Sequence, residues 1–135
     1  MSVKKLVDAG MKSKLTGGTA LITSLGGTAI YNAHAPDMAA LPYVVFSEQT
    51  GSPDNETPSD ARTLIYWVRA YAANGSQADD IDALLSALLH NQVLTVSGYT
   101  NYGLQRETEI PTSEINSAGK RTYQAGAMYR VRIDQ

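Results

Sequence analysis

The stretch from Ser76 to His90 constrains the fold most, because its apolar residues recur with the period of a helix. The side chains at the i, i+3, i+4, i+7 and i+8 positions of one helical face are all large and aliphatic: Ile81, Leu84, Leu85, Leu88 and Leu89. Ser76 and Asp79 have the spacing of a capping box, and acidic residues in the first turn suit the positive end of the helix dipole. The pattern predicts a helix over 76–90 with one face for a sheet.

A helix, two strands and a polar loop are predicted before this segment. Residues 3–15 have apolar side chains at helical spacing, and residues 63–71 are rich in β-branched and aromatic side chains. Residues 42–48 form a strand-like run that starts at a proline, where the missing N–H disturbs pairing least. Residues 49–62 contain two prolines, a glycine and acidic side chains but no large apolar residue. Because such a segment cannot join a core, we expect a solvated, mobile loop over 49–62.

Further strands are predicted after the helix. Residues 92–96 and 99–107 have strand character and are separated by a short glycine turn. Residues 110–119 are polar and contain a proline, which predicts a second connection. The closing run, residues 123–133, alternates most cleanly, with its odd-numbered positions largely apolar.

The fold class follows from packing the 76–90 helix on the odd-numbered face of the closing strand. Each large side chain contributes on the order of 1.5–3 kcal/mol when fully buried. The expected buried cluster contains Ile81, Leu84, Leu85, Leu88, Tyr129 and Val131. A chain of 135 residues can bury roughly two-thirds of its unfolded surface as one domain. We therefore expect a single α+β domain over residues 1–135, a mostly antiparallel sheet with helices packed on one face.

Composition excludes several classes of function. The absence of cysteine excludes disulfides, thiolate metal sites and a cysteine nucleophile. A net charge of −2 argues against a nucleic-acid-binding protein, which carries a basic surface. No apolar run reaches the ~18 residues of a membrane span, and the N-terminus lacks the apolar stretch of a signal peptide. We expect no direct nucleic-acid specificity, no membrane partner, and a protein that works where it is made.

Few residues suggest catalysis or metal binding. His90 falls in the last turn of the predicted helix, where the helix dipole favours a cation. His34 and Asp37 form only a weak candidate pair for metal or acid–base chemistry. The acidic residues at the start of the helix lack the alternating ligands and glycine of a calcium loop. We therefore expect no enzyme activity, no catalytic or metal-binding residue and no cofactor.

Aromatic and basic side chains mark candidate contact surfaces. Tyr99 and Tyr102 lie in a polar predicted strand, and rings with polar tips suit half-buried sheets and protein interfaces alike. The even-numbered side of the closing strand carries Met128, Arg130 and Arg132, and this side is either exposed to solvent or an interface.

The order of segments resembles a known family. An N-terminal helix leads to a short strand that ends in Ala-Pro at Pro36, and a Pro-Tyr-Val-Val-Phe strand follows at 42–46. A polar loop, the strand TLIYWVRAY, a helix beginning DDIDALL and a closing strand at 123–131 complete the order. This looks like the tail-completion or tail-terminator proteins of long-tailed bacteriophages, and the resemblance covers most of the chain, about Val3 to Ile133.

The resemblance implies a structural role in the virion. Such proteins form a ring, expected here to be a hexamer, that caps the tail tube, ends its polymerisation and joins the tail to the head. The implied partners are other copies of the chain, the major tail tube protein and a head-completion or connector protein. The implied location is the virion neck or tail, after assembly in the cytoplasm of the host bacterium. The alternatives are a neck adaptor ring and, in another class, a monomeric α+β module that binds a small ligand.

In a ring, the charged residues predict a particular contact between subunits. Arg130 and Arg132 are expected to pair with acids of the neighbouring subunit's polar loop. The acids in question are Asp54, Glu56 and Asp60. Such exposed pairs contribute about 0–1 kcal/mol each and set register rather than affinity. Sheet edges and faces, rather than helices, are expected to supply the main contacts.

Overall fold

The described residues form three helices and five strands. The computed structural model describes residues 3–27, 29–33, 35, 41–53, 62–96, 98–117 and 120–134. The helices are α1 (Val3–Thr16), α2 (Thr19–Leu25) and α3 (Gly75–Leu89). The strands are β1 (Ile30–Asn32), β2 (Tyr43–Pro53), β3 (Arg62–Ala72), β4 (Thr100–Ser117) and β5 (Lys120–Asp134). They form one sheet in the order β1-β2-β3-β5-β4, in which β1 and β2 are parallel and the other neighbours antiparallel. The predicted α+β class is confirmed.

Alternation along β3 and β5 places one apolar face of the sheet under the helices. In β5, the odd-numbered positions from 125 to 133 are buried, as the sequence predicted. In β3, the even-numbered positions from 64 to 72 are buried beside them. Because successive side chains of a strand point to opposite sides, this pairing leaves the other face of the sheet outside the core.

α3 packs its apolar stripe on this core face. Ile81, Leu85 and Leu89 are fully buried, together with Tyr129 and Val131. Leu84 and Leu88 are only partly buried and pack at the margin of the same cluster, so the expectation that they lie in the core was wrong. The reason is geometric: a stripe of five residues is wider than the line along which a helix touches a sheet.

The start of α3 differs from the predicted capping box. The N-cap is Asn74, whose side-chain oxygen accepts a hydrogen bond from the N–H of Gln77 at 2.7 Å. The box predicted at Ser76 and Asp79 is therefore wrong. Asparagine caps a helix as well as serine does, so the polar residues of this turn offered two plausible starts.

Two strands are longer than the sequence predicted. β2 continues through Pro53, so residues 49–53 belong to the sheet and not to the predicted loop; residues 54–61 lie outside the described residues. β4 continues to Ser117 and includes the segment 110–117 that was predicted as a connection. Both added segments pair with a neighbouring strand, and both contain register shifts. Such irregularities accommodate polar residues and a proline, which the alternation of apolar and polar residues does not predict as part of a strand.

Residues 92–96, predicted as a strand, instead cross the surface of α1. Their pairing is limited to a single bridge between Val96 and Tyr99 across the turn at Gly98, whose φ is 79°. The crossing requires a glycine in α1, because a Cβ on Gly10 would lie 2.7 Å from the carbonyl oxygen of Thr95. Among the described helices, none is long and apolar enough to cross a membrane.

Two polar bridges tie the helices to buried tyrosines of the sheet. Arg106 of β4 binds both carboxylate oxygens of Asp82 on α3 at 3.0 and 2.7 Å and donates to the hydroxyl oxygen of Tyr129 at 2.9 Å. The hydrogen bond to Asp82 is the main cause that raises the pKa of Arg106. On α1, Oδ1 of Asp8 accepts a hydrogen bond from the hydroxyl of Tyr66 at 2.5 Å, and burial raises the pKa of that tyrosine. These bonds satisfy polar groups that the core face would otherwise bury unpaired.

Candidate functional site

The face of the sheet opposite the helices carries a continuous aromatic surface, which we call the open face. Its side chains alternate with the buried ones, and along β3 they are half-buried while their neighbours are buried. Strand pairing places Trp67 beside Met128 and Tyr71 beside Tyr43. The open face is defined by Tyr31, Tyr43, Ile65, Trp67, Arg69, Tyr71 and Met128.

The aromatic rings of the open face are ordered across three strands. Tyr43 stacks on Tyr71 with 5.0 Å between ring centroids, and Tyr31 meets Tyr43 edge to face at 6.0 Å. The guanidinium carbon of Arg69 lies 5.2 Å from the Trp67 ring and 6.0 Å from the Tyr71 ring. Burial raises the pKa of the Tyr43 phenol. Rings held in this way present a large rigid contact area at low entropic cost, which is typical of protein interfaces.

The basic residues predicted on β5 lie beside this surface. Arg130 forms an ion pair with Glu107 of its own subunit, with 2.9 Å between Nε and the carboxylate oxygen, and its side chain is 44% exposed. Arg132 is exposed and its aliphatic stem lies across Gly103, where an added Cβ would be 3.5 Å away. Met128 is half-buried between strands β3 and β4. The structure thus brings Met128 and the two arginines onto one face.

The other predicted contact residues are placed differently or fall outside the description. Tyr99 packs against the hydrophobic core from its margin. Tyr102 belongs to β4, but its side chain lies outside the described residues. The acids Asp54, Glu56 and Asp60 also lie outside them, between the described ends of β2 and β3.

The edges of the sheet are less suited to pairing with another chain than the open face is. On the outer side of β4, the oxygen of Leu104 accepts from the N–H of Asn91 at 2.9 Å, and the N–H of Arg106 donates to Nδ1 of His90 at 3.0 Å. β4 also contains three register shifts and Pro111. At the opposite edge, the Lys12 ammonium donates to the oxygen of Ile30 at 2.5 Å. Bulges, prolines and capped groups are features that keep edge strands from pairing.

His90 ends α3 and links it to β4. It is the C-cap residue of the helix, at the end of the predicted helix. Its Nδ1 accepts a hydrogen bond from the backbone N–H of Arg106 at 3.0 Å, which holds the edge strand against the end of the helix.

A second apolar surface lies on the helical side of the domain. A groove of about 250 Å³ between α2 and α3, which we call the α2–α3 groove, contains the half-buried leucines that the core leaves uncovered. It is lined by Gly18, Thr19, Ala20, Leu21, Leu84, Ala87 and Leu88. Gly18 lets α2 approach, since a Cβ there would lie 2.6 Å from Cδ2 of Leu88. Beside the groove, Val93 is 61% exposed. This surface was not predicted from the sequence, because helical period alone does not separate core leucines from groove leucines.

Two acidic residues of α3 are engaged in local contacts. Asp82 is bound by Arg106, and Asp79 accepts a hydrogen bond from the hydroxyl of Thr112. Within the part of the chain that the structure describes, no group of three or more His, Asp or Glu side chains is arranged to hold a metal ion. The prominent features are an aromatic surface and an apolar groove on opposite sides of the helix-on-sheet fold. Surfaces of this kind are typical of small proteins that work through contacts with other proteins.

Comparison with known proteins identifies the family. Residues 11–134 match the family model described as tail completion protein gp17, and the chain belongs to this family of phage tail structural proteins. The fold is similar to a chain in the solved virion of a native gene transfer agent particle, with a TM-score of 0.80 and 18% identity, over 99% of this chain and 98% of that one. A second solved structure has a TM-score of 0.61 and 16% identity, over 98% and 96% of the two chains. No curated protein matches the chain.

Proposed function

We propose that this protein is a tail terminator: a ring of identical subunits that caps the tail tube, ends its polymerisation and joins the tail to the head. The match of residues 11–134 to the tail completion family carries the proposal. The aromatic open face and the α2–α3 groove, on opposite sides of the fold, support a subunit that contacts neighbours on two sides. The ring is a hexamer assembled in the host cytoplasm, and its other partners are the major tail tube protein and a head-completion or connector protein.

Charged side chains set the register between subunits in this proposal. The polar loop containing Asp54, Glu56 and Asp60 reaches the neighbouring copy beside Arg130 and Arg132. Because Arg130 already pairs with Glu107 of its own subunit, an incoming acid shares that arginine instead of meeting an unpaired charge. Exposed pairs of this kind contribute about 0–1 kcal/mol each, so apolar contacts supply most of the affinity.

Tube capping tests the function directly. The tube protein encoded in the same phage genome is polymerised with and without this protein, and tube lengths and ends are measured by electron microscopy. A terminator shortens the tubes at substoichiometric ratios and adds density at one end. If it leaves the tubes unchanged and binds the head connector instead, the protein is a neck adaptor. A monomer by light scattering that binds neither component would leave the small-ligand module as the better account.

Neutralising the loop tests the proposed pairing between subunits. The variant Asp54→Asn, Glu56→Gln and Asp60→Asn keeps the loop length and removes its charge. We expect an unchanged melting temperature and slower or weaker ring formation at low salt, with the difference from the wild-type protein vanishing at high salt. Rings that form equally well at low salt would show that these acids do not face the neighbouring arginines.

A further inference from the structure

We propose that neighbouring copies of this chain meet front to back, with the open face of one copy seated on the α2–α3 groove of the next. The inference rests on the proposed ring and names the two surfaces that build it. The partner is a second copy of the same chain, and helices therefore supply half of each contact, in contrast to the sequence expectation that sheet edges and faces, rather than helices, supply the main contacts.

The positions of the two surfaces favour a ring over a dimer. Ile81, Leu85 and Leu89 of α3 point to the sheet, while Leu84 and Leu88 flank them and open toward α2. The open face lies on the far side of the sheet from α3. A contact that joins two different surfaces leaves the pair of copies with one unused open face and one unused groove. Further copies then add until the rotation closes, whereas a contact between two identical surfaces would stop at two copies.

The shapes and side chains of the two surfaces are complementary. The groove is walled by small residues such as Gly18, Ala20 and Ala87, with leucines at its floor. The open face carries the chain's single tryptophan, Trp67, and Arg69 lies between its ring and the stacked rings of Tyr71 and Tyr43. A large aromatic anchor that enters a pocket lined by small apolar side chains is the arrangement that concentrates binding energy at protein interfaces.

Charge also favours this pairing. The open face bears Arg69, whose Nε–H is buried and has no hydrogen-bond partner among the described residues, and Arg132 lies on the same side of the sheet toward the other end of the β3–β5 pairing. On α3, Asp80 is exposed one turn before Leu84 and therefore on the same side of the helix as the groove. Seating the open face on the groove brings an acid toward a basic surface, whereas contact between two open faces would bring arginine toward arginine.

The available area suits a stable contact. The four strands that run along the length of β3, each about 4.8 Å wide and rising about 3.3 Å per residue, have a face of roughly 700 Å². That is close to the ~800 Å² that each partner buries in a typical specific interface. One open face is thus large enough for one neighbour and leaves little room for a second.

Complementing variants test the arrangement. Trp67→Glu blocks the open face, and Leu88→Glu blocks the groove. Each variant alone is expected to be monomeric by light scattering at concentrations where the wild-type protein forms rings. An equimolar mixture is expected to give a heterodimer and no ring, because the Leu88→Glu copy keeps an intact open face and the Trp67→Glu copy keeps an intact groove. Ser76→Glu, which adds the same charge to an exposed site in the first turn of α3, is the control that keeps rings.

A cross-linking measurement covers the case in which a glutamate variant does not fold. The chain has no cysteine, so Ala87→Cys and Tyr71→Cys each introduce one thiol, on the groove and on the open face respectively. A flexible bifunctional maleimide should join the two variants to each other more efficiently than it joins either variant to itself. Predominant self-linking of either variant would overturn the proposal and indicate a symmetric contact.

Other results would also overturn the front-to-back contact. Rings that persist in both glutamate variants would show that the interface lies elsewhere. Normal rings of Trp67→Glu that no longer bind the tail tube protein, or DNA, would assign the open face to that partner. If the wild-type protein itself forms no ring and does not cap tubes, the proposed function fails. If the wild-type protein does both and rings persist in both glutamate variants, the proposed function stands without this interface.

Discussion

Leu85 and Leu88 allow a matched test of how α3 is used. Both are leucines on one helix, but Leu85 is fully buried, whereas Leu88 lines the α2–α3 groove. Leu85→Ala removes buried carbon atoms that contribute about 0.8 kcal/mol each and leaves a cavity that relaxes only partly. We expect a loss of about 3–4 kcal/mol in the free energy of unfolding, inside the ~2–5 kcal/mol range of such substitutions.

The same substitution at Leu88 removes the same atoms from a half-exposed position. We expect a loss of about 1 kcal/mol or less. Urea unfolding, followed by tryptophan fluorescence, measures both variants at concentrations where light scattering shows monomers, because assembly adds to apparent stability. The corresponding decreases in melting temperature are roughly 10–15 °C for Leu85→Ala and about 3 °C for Leu88→Ala. Equal losses, or a larger loss at Leu88, would refute the reasoning that places Leu85 under the sheet.

Three further predictions concern charged residues. Arg106→Met leaves the Asp82 carboxylate without the guanidinium that binds both of its oxygens, and it should lower the free energy of unfolding in urea by about 2–4 kcal/mol. The double variant Arg106→Met with Asp82→Leu should lose less, because it leaves no unpaired charge. Burial raises the pKa of Glu48 above its ordinary value. Because a raised acid pKa means that the charged form opposes folding, Glu48→Gln should raise the melting temperature at pH 7, and the gain should disappear as the pH falls below about 4; a gain that persists at pH 3 would contradict this. Arg130→Glu should weaken rings in light scattering, and adding Glu107→Arg should restore the pair inside the subunit but not the ring.

The core face of the sheet was predictable because the two-residue period of apolar side chains in the sequence matches the side chains that are buried in the fold. In β5, every second residue from 125 to 133 is apolar and buried. A shift of one residue would turn all of these side chains to the other face, so the register is strongly specified by the sequence itself. The same reasoning placed Ile81 and Leu85 correctly on the sheet, since helix and strand periods selected both sides of one contact.

The long strands β2 and β4 were only partly predictable. Residues 110–117 are polar and contain Pro111, which are signs of a connection, yet they pair with β5 to the end of the hairpin. An edge strand needs an apolar face only where helices cover it, so its distal part tolerates exposed polar residues and bulges. Hydrogen bonds to a neighbouring strand, which periodicity does not register, hold that part in the sheet.

The candidate surfaces depend on the register between strands and on the packing between helices, and both are set by the tertiary structure. The sequence pointed to Met128, Arg130 and Arg132, but the ordered tyrosines toward the other end of the same face come together only through the pairing of β1, β2 and β3. The alternation of residues along 63–71 could have indicated part of this surface, since it places Trp67 and Tyr71 on the side away from the core. The groove had no such sign, because its leucines continue the same helical stripe as the core.

Electron microscopy of tails polymerised from the cognate tube protein, with this protein added at increasing ratio, tests the central claim most directly. We expect tube length to fall as more protein is added, and a ring of subunits of 14.5 kDa each to lie at one end of each tube. The variants Trp67→Glu and Leu88→Glu should lose both effects, and Ser76→Glu should keep them. Tubes of unchanged length with bare ends, in the presence of correctly folded wild-type protein, would contradict the assignment as a tail terminator.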